Sequence, residues 1–354
     1  MRAALVLAAA LTSGCHHDEA AAPPRADSRI AVAVDPRVEL FAILERLAGS
    51  PEYTRAATPY AAAVDAWFAP VKDDPAVAAF RQLRASNGIS YDAALTLAVQ
   101  LDAALQPVRP LAPLPDGVDA RWQGVDLVAL LGQVRAFAEA SRFAAFRAGQ
   151  TRYDAEVEGR LRTFVGARSL VTWFDAAFGA RAGAKYKIAP GLLTGQMNYG
   201  LHATPLDIEE VIFLEAPDAA GLPTYGPISE ALLAHELAHS YINPIIHAHV
   251  PEVSGAATAL DAAALAMAKQ HYTTREIVAD EALVRAVTVI YLRDQVSSAA
   301  AAASLAEQQQ LGFAWTPALV AALDRARAAH GGTWTAADLL AAYTEIVGLA
   351  ARVP

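Results

Sequence analysis

His235, Glu236 and His239 stand in the order His-Glu-x-x-His within residues 228–244, ISEALLAHELAHSYINP. If that stretch is helical, the two histidines sit at i and i+4, one turn apart on one face. Two imidazoles at that spacing can take two corners of a tetrahedral zinc site. Glu236 is rotated by about 100° from His235. It is badly placed as a third ligand and well placed to take a proton from a water beside the metal. This is the residue order of zinc hydrolases that use a glutamate as general base.

The bare pattern is short enough to arise by chance, so its setting carries weight. Ser229 is an N-cap candidate, with Glu230 in the first turn. Leu232, Leu233, Leu237 and Ile242 give the stretch apolar faces. Asn243-Pro244 reads as a stop, because a residue before proline avoids the helical region. The expectation is a short, capped, buried helix.

A catalytic zinc needs a third protein ligand and one open position. The metzincin pattern would put a glycine at 242 and a histidine at 245, where the chain has Ile242 and Ile245, so that class is excluded. His247 and His249 follow the Asn-Pro break and read first as loop residues. Stronger candidates lie in residues 272–294, YTTREIVADEALVRAVTVIYLRD. On a helical wheel Glu281 falls amid Ile277, Val278, Val284, Thr288 and Leu292. A carboxylate in an apolar stripe is costly unless it is paired or bound to metal. Arg285 at i+4 offers an ordinary ion pair as the alternative. Glu276 is the second choice. Glu276-x-x-x-Asp280 resembles the thermolysin-like pattern, in which the glutamate binds zinc and the aspartate orients a ligand histidine. Thr273-x-x-Glu276 is equally a capping box, which explains Glu276 structurally. Asp280, Arg285 and Asn243 are the residues expected just outside the ligands, Asn243 as a cap or turn residue. Tyr272, His271, Tyr241 and Tyr199 are the candidates for stabilising an oxyanion or touching substrate.

The elements that must position these groups give an α+β, mostly helical chain. Asp35-Pro36 opens a helix to about residue 47, closed by Gly49. Helices are expected over 51–68, 75–85 and 90–104, with two or three more across 125–180. Pro107, Pro110, Pro113 and Pro115 form a rigid connection between them. Residues 30–34 alternate weakly, as a strand does, and 185–189, 192–201 and 210–215 read as two or three short strands of a small mixed sheet. Met197 to Gly200 is the candidate edge strand, where Tyr199 either faces the cleft or packs as strand tyrosines commonly do. After the motif come helices over 257–270 and 274–296, then two or three to the end. The division is a helical region over 30–180 and a catalytic region over 181–354, forming one compact unit.

Residues 1–14 have the short apolar run of a signal peptide, ending in Leu11-Thr12-Ser13-Gly14 before Cys15, the one cysteine of the chain. This resembles a lipoprotein signal, with Cys15 acylated and 15–29 a flexible tether. His16 after the cysteine points to the outer membrane of a bacterial envelope. No disulfide is possible within the chain. A net charge of −9 argues against a nucleic-acid partner.

Several segments together resemble a bacterial family known mainly as a domain of unknown function, whose members are read as zincin-like peptidases and are often lipoproteins. They are Pro36-Arg37-Val38-Glu39-Leu40, Arg46-Leu47-Ala48-Gly49 with Glu52-Tyr53, His235-Glu236-x-x-His239-Ser240-x-x-Asn243-Pro244, and Glu281-x-x-Val284-Arg285-Ala286. The resemblance runs from about residue 30 to 345. It implies a zincin-like sheet with the His-Glu-x-x-His helix beneath, and Glu281 as the carboxylate at the metal. It carries no established substrate. The expected function is a membrane-tethered, gluzincin-like metallopeptidase with one Zn²⁺ held by His235, His239 and Glu281, and a peptide or protein substrate. A non-catalytic envelope binding module and a metal-dependent amidase acting on cell-wall peptides are the alternatives.

Overall fold

The computed structural model describes residues 29–195, 197–203, 208–213, 217–249, 267, 272 and 275–350. Fourteen α-helices and four strands occur among them. The first half carries β1 (Ile30–Val32), α1 (Pro36–Ala48), α2 (Pro51–Thr54), α3 (Pro59–Phe68), α4 (Pro75–Asn87), α5 (Ala93–Ala98), α6 (Leu127–Ala140), α7 (Phe143–Gly149), α8 (Thr151–Gly166) and α9 (Leu170–Phe178). The second carries β2 (Lys185–Pro190), β3 (Tyr199–Ala203), β4 (Ile208–Phe213), α10 (Pro227–Ala248), α11 (Arg275–Gln295), α12 (Ser298–Gln310), α13 (Thr316–Ala329) and α14 (Ala336–Ala350). The expected helix over 257–270 lies outside the described residues apart from Met267. No described helix is long and apolar enough to cross a membrane.

Local signals set most boundaries. The Asp35 side chain accepts from Arg37 N and Val38 N and so caps α1, Pro36 takes its first turn, and Gly49 closes it in the left-handed region at φ 87. The single helix expected over 51–68 is two, because Thr58 before Pro59 leaves helical geometry and caps α3 instead. The helix expected over 90–104 shrinks to α5. Four helices, not two or three, cover the stretch up to Phe178. The strand expected to begin at Leu192 begins at Tyr199, after a turn in which Thr194 N donates to Gly191 O.

The strands form one mixed sheet in the order β1-β2-β4-β3. β1 and β4 run parallel to β2, and β3 lies antiparallel to β4 at an edge. β1, from the first half of the chain, is therefore completed by strands from the second. Side-chain alternation separates two cores. Ile188 and its partner Val211 face a core built from α8 to α11 and the C-terminal helices. Ala189, Tyr199 and Leu201 face the other core, built from α1 to α8. Gly200, opposite Val211, shares the first face, which looks onto α10.

Helix α10 differs from expectation at both ends. Its N-cap is Gly226 with Pro227 at the first position, and Ser229 acts from inside the first turn, its Oγ accepting from Gly226 N at 2.8 Å. At the other end the helix runs through Pro244 to Ala248. Proline removes the N–H that would reach the carbonyl four residues back, here Ser240. Arg181 Nη1 donates to Ser240 O at 3.2 Å and fills that place. The stop signal is overridden by a side chain 59 residues away.

Candidate metal centre

α10 and α11 pack along one another. α10 contributes His235 and His239 on successive turns, and α11 contributes Glu281. The two Nε2 atoms stand 3.3 Å apart. Glu281 Oε1 lies 3.5 Å from His239 Nε2, and Oε2 lies 3.7 Å from His235 Nε2. Two donors on a tetrahedral cation with bonds of about 2.0–2.2 Å stand roughly 3.3–3.6 Å apart. The histidine pair and the Oε1–His239 contact fall in that range, the Oε2–His235 contact lies just beyond it, and the three groups can hold a metal ion.

His239 and Glu281 are held from outside the cluster. His239 Nδ1 is 3.0 Å from Asn243 Oδ1. A proton on Nδ1 donated to that oxygen leaves the Nε2 lone pair facing the cluster. Burial pushes the His235 ring down to about 3, with Glu281 opposing the shift. The ring stays neutral, which is the form that binds metal. Burial by itself would raise the Glu281 carboxyl, but the His235 and His239 rings, Arg285 and Tyr272 together hold it below the usual range. The Arg285 guanidinium touches this carboxylate directly. Its Nε donates to Glu281 Oε2 at 3.0 Å and its Nη2 stands 2.9 Å from the same oxygen. Arg285 also donates to Tyr272 Oη at 2.9 Å and lies 4.4 Å from the centre of the Phe313 ring. The i,i+4 ion pair and the ligand reading of Glu281 are therefore compatible: Arg285 occupies one carboxylate oxygen.

Glu236 lies on the side of α10 that faces β3. A Cβ on Gly200 would sit 3.1 Å from the Glu236 carbonyl oxygen and 3.6 Å from Oε2. Burial pushes the Glu236 carboxyl up to about 7, with His239 and the Gly200 N–H opposing and Glu281 adding to the rise.

Other expected site residues fall elsewhere. Asp280 does not orient a ligand histidine. It is buried, its Oδ2 is 3.3 Å from His247 Nε2, and Asn243 takes the role expected of it. His247 and His249 stay outside the cluster: the first pairs with Asp280, and His249 Nδ1 is 2.8 Å from Ile245 O at the end of α10. Tyr241 points into the core, where its hydroxyl donates to Asp175 Oδ1 at 2.8 Å and lies 2.7 Å from Tyr186 Oη. Tyr199 is buried on the far face of the sheet. The strand parity that turns Gly200 toward Glu236 turns Tyr199 away. Tyr272 is at the cluster, but its hydroxyl is engaged with Arg285 and Glu281. His271 and the Glu276 side chain lie outside the described residues.

Two contributors escaped the sequence reading. Gln308 on α12 accepts from Arg285 Nη1, and Phe313 stacks beneath the same guanidinium. Neither lies in a motif. Gly200 carried a usable signal, since glycine inside a strand often marks close backbone approach.

Fold and site together define a mostly helical α+β protein in which adjacent helices bring two histidines and a glutamate to one point. The chain belongs to the family described as Domain of unknown function (DUF4932), which matches residues 30–329. No curated protein and no solved structure matches it.

Proposed function

We propose that this chain is a zinc-dependent, zincin-like peptidase of the cell envelope, tethered through acylated Cys15. The observation that carries the proposal is the convergence of His235 Nε2, His239 Nε2 and the Glu281 carboxylate within 3.7 Å of one another, with Glu236 on the next position of the helix under an edge strand. Two histidines and a glutamate are a donor set of catalytic zinc sites, which keep a fourth position open. A metal held there would supply a Lewis acid that polarises the scissile carbonyl and acidifies a water. Glu236 takes the proton from the attacking water and returns it to the departing amine nitrogen. β3 supplies an edge on which an extended peptide can lie as an added strand. Asn243, Arg285 and Tyr272 hold the ligand set in place and do not meet substrate. An amidase acting on cell-wall peptides would use the same residues, and the substrate alone would distinguish it.

The test is metal content together with turnover of a mixed peptide library, with and without a chelator. One equivalent of zinc, chelator-sensitive cleavage and a Glu236→Gln protein that keeps zinc but cleaves nothing are expected. Zinc binding with no turnover in the native chain would instead mark a non-catalytic module. The tether is tested separately by fatty-acid labelling; a Cys15→Ser protein equally bound to membranes removes that part of the proposal.

A further inference from the structure

The proline-rich connection and the start of α6 line an open-mouthed cavity of about 850 Å³, within the size range of small-molecule sites. It shares no residue with the metal centre. Leu111, Leu114, Trp122, Val125, Leu127 and Leu131 make its apolar wall. Val108 and Val128, which also line it, are 42% and 83% exposed and rank among the few large apolar side chains on the described surface.

Two guanidinium groups interrupt this apolar lining. Arg135 is anchored, with Nη1 donating to Leu105 O at 3.1 Å. Leu105 itself is held in the left-handed region at φ 59, a conformation that costs a non-glycine residue energy and recurs at ligand clamps. The Nε of Arg109 is buried and has no hydrogen-bond partner among the described residues. A buried donor left unpaired is costly, and arginine cannot relieve that cost by losing its proton. Asp126 is the one acid in the lining, and its Oδ1 accepts from Ala129 N at the head of α6. Two cations against one anion leave a single positive charge, which suits a monoanion better than a dianion.

We propose that this cavity binds a small amphiphilic carboxylate: its acyl chain lies on the apolar wall and its head group meets Arg109 and Arg135. The planar arginine fork matches a carboxylate with two parallel hydrogen bonds. The proposal does not depend on the metal centre.

Calorimetric titration of the full chain with decanoate and with decan-1-ol tests it. Decanoate should bind saturably at one site, and decan-1-ol at least about tenfold more weakly, the loss of one charge-assisted contact. Arg109→Gln and Arg135→Gln should each weaken decanoate about tenfold or more. Val128→Asp, at a position too exposed to affect folding, should weaken it as well. Absence of saturable decanoate binding, or equal affinity for acid and alcohol, would overturn the proposal. So would unchanged decanoate affinity in Arg109→Gln or, should that protein not fold, in Arg135→Gln and Val128→Asp.

Discussion

Gly200 on β3 and Glu236 on α10 are packed so closely that a Cβ at position 200 would stand 3.1 Å from the Glu236 carbonyl oxygen. That contact couples the sheet edge to the general base proposed here. Gly200→Ala must push strand and helix apart by a few tenths of an ångström. Misplacement on that scale reduces turnover without touching the metal ligands. We expect peptide cleavage to fall about tenfold in Gly200→Ala and further in Gly200→Val, with zinc stoichiometry unchanged. Full turnover in Gly200→Val would dissociate Glu236 from the edge strand.

Asn243 faces His239 Nδ1 at 3.0 Å, so its removal frees the ring to rotate or change tautomer. Asn243→Ala should weaken zinc by about 10- to 100-fold, read by competition with a chromophoric chelator. Glu281→Gln should weaken it further, and Glu276→Gln should leave it unchanged. Zinc lost only in Glu276→Gln would transfer the ligand role to that residue. Chelation should also lower the melting temperature of the native chain, because an ion bound only to the folded state stabilises it.

The Arg181–Ser240 hydrogen bond has a double-mutant test. Arg181→Ala leaves the Ser240 carbonyl without that donor and should cost about 1 kcal/mol in urea unfolding. In a Pro244→Ala background residue 244 regains an N–H for the same carbonyl, so Arg181→Ala should cost measurably less. Equal costs in both backgrounds would mean that Arg181 contributes only through other contacts, such as its position over the Tyr241 ring.

Stability should depend on pH through the first helix. Burial pushes the Glu39 and Glu45 carboxyls up to about 7 each. Glu45 Oε1 is buried with no hydrogen-bond partner among the described residues. Because their folded values lie above the ordinary 4.5, the folded state holds more protons between those limits. Stability therefore falls as pH rises from about 4.5 to about 7, by at most on the order of 3 kcal/mol per group. Asp35 has the opposite sign. Burial raises its carboxyl, but Arg37 and Lys187 prevail and hold it well below 3.8, so its contribution is lost as pH falls below that value. Urea midpoints across pH should show both limbs, and Glu39→Gln should flatten the upper one. An unaltered upper slope in Glu39→Gln would remove Glu39 as its source.

Some of the site is written in local spacing. The i,i+4 step of His235 and His239 is helix geometry, and any helix through those residues brings their rings together. Glu281 stood out because a carboxylate among Val278, Val284 and Leu292 demands compensation. Capping at Asp35 and Gly49, and the strands near β1, β2 and β4, follow from the backbone preferences of single residues. Contacts between distant segments were not legible in this way. Nothing near Pro244 announces that Arg181 will replace the missing donor and carry α10 onward. Strand parity decided between Tyr199 and Gly200, and parity follows from the register of β3 against β4. Asp280 and Asn243 were both plausible supports for a ligand histidine. The rotation of α11 against α10 turned Asp280 toward His247 and left Asn243 for His239. The sequence by itself therefore determined which side chains can do chemistry, because residue type and helical period suffice for that. Only the tertiary structure decided how they are aimed, because the phase of one element against another is set by packing across the whole core.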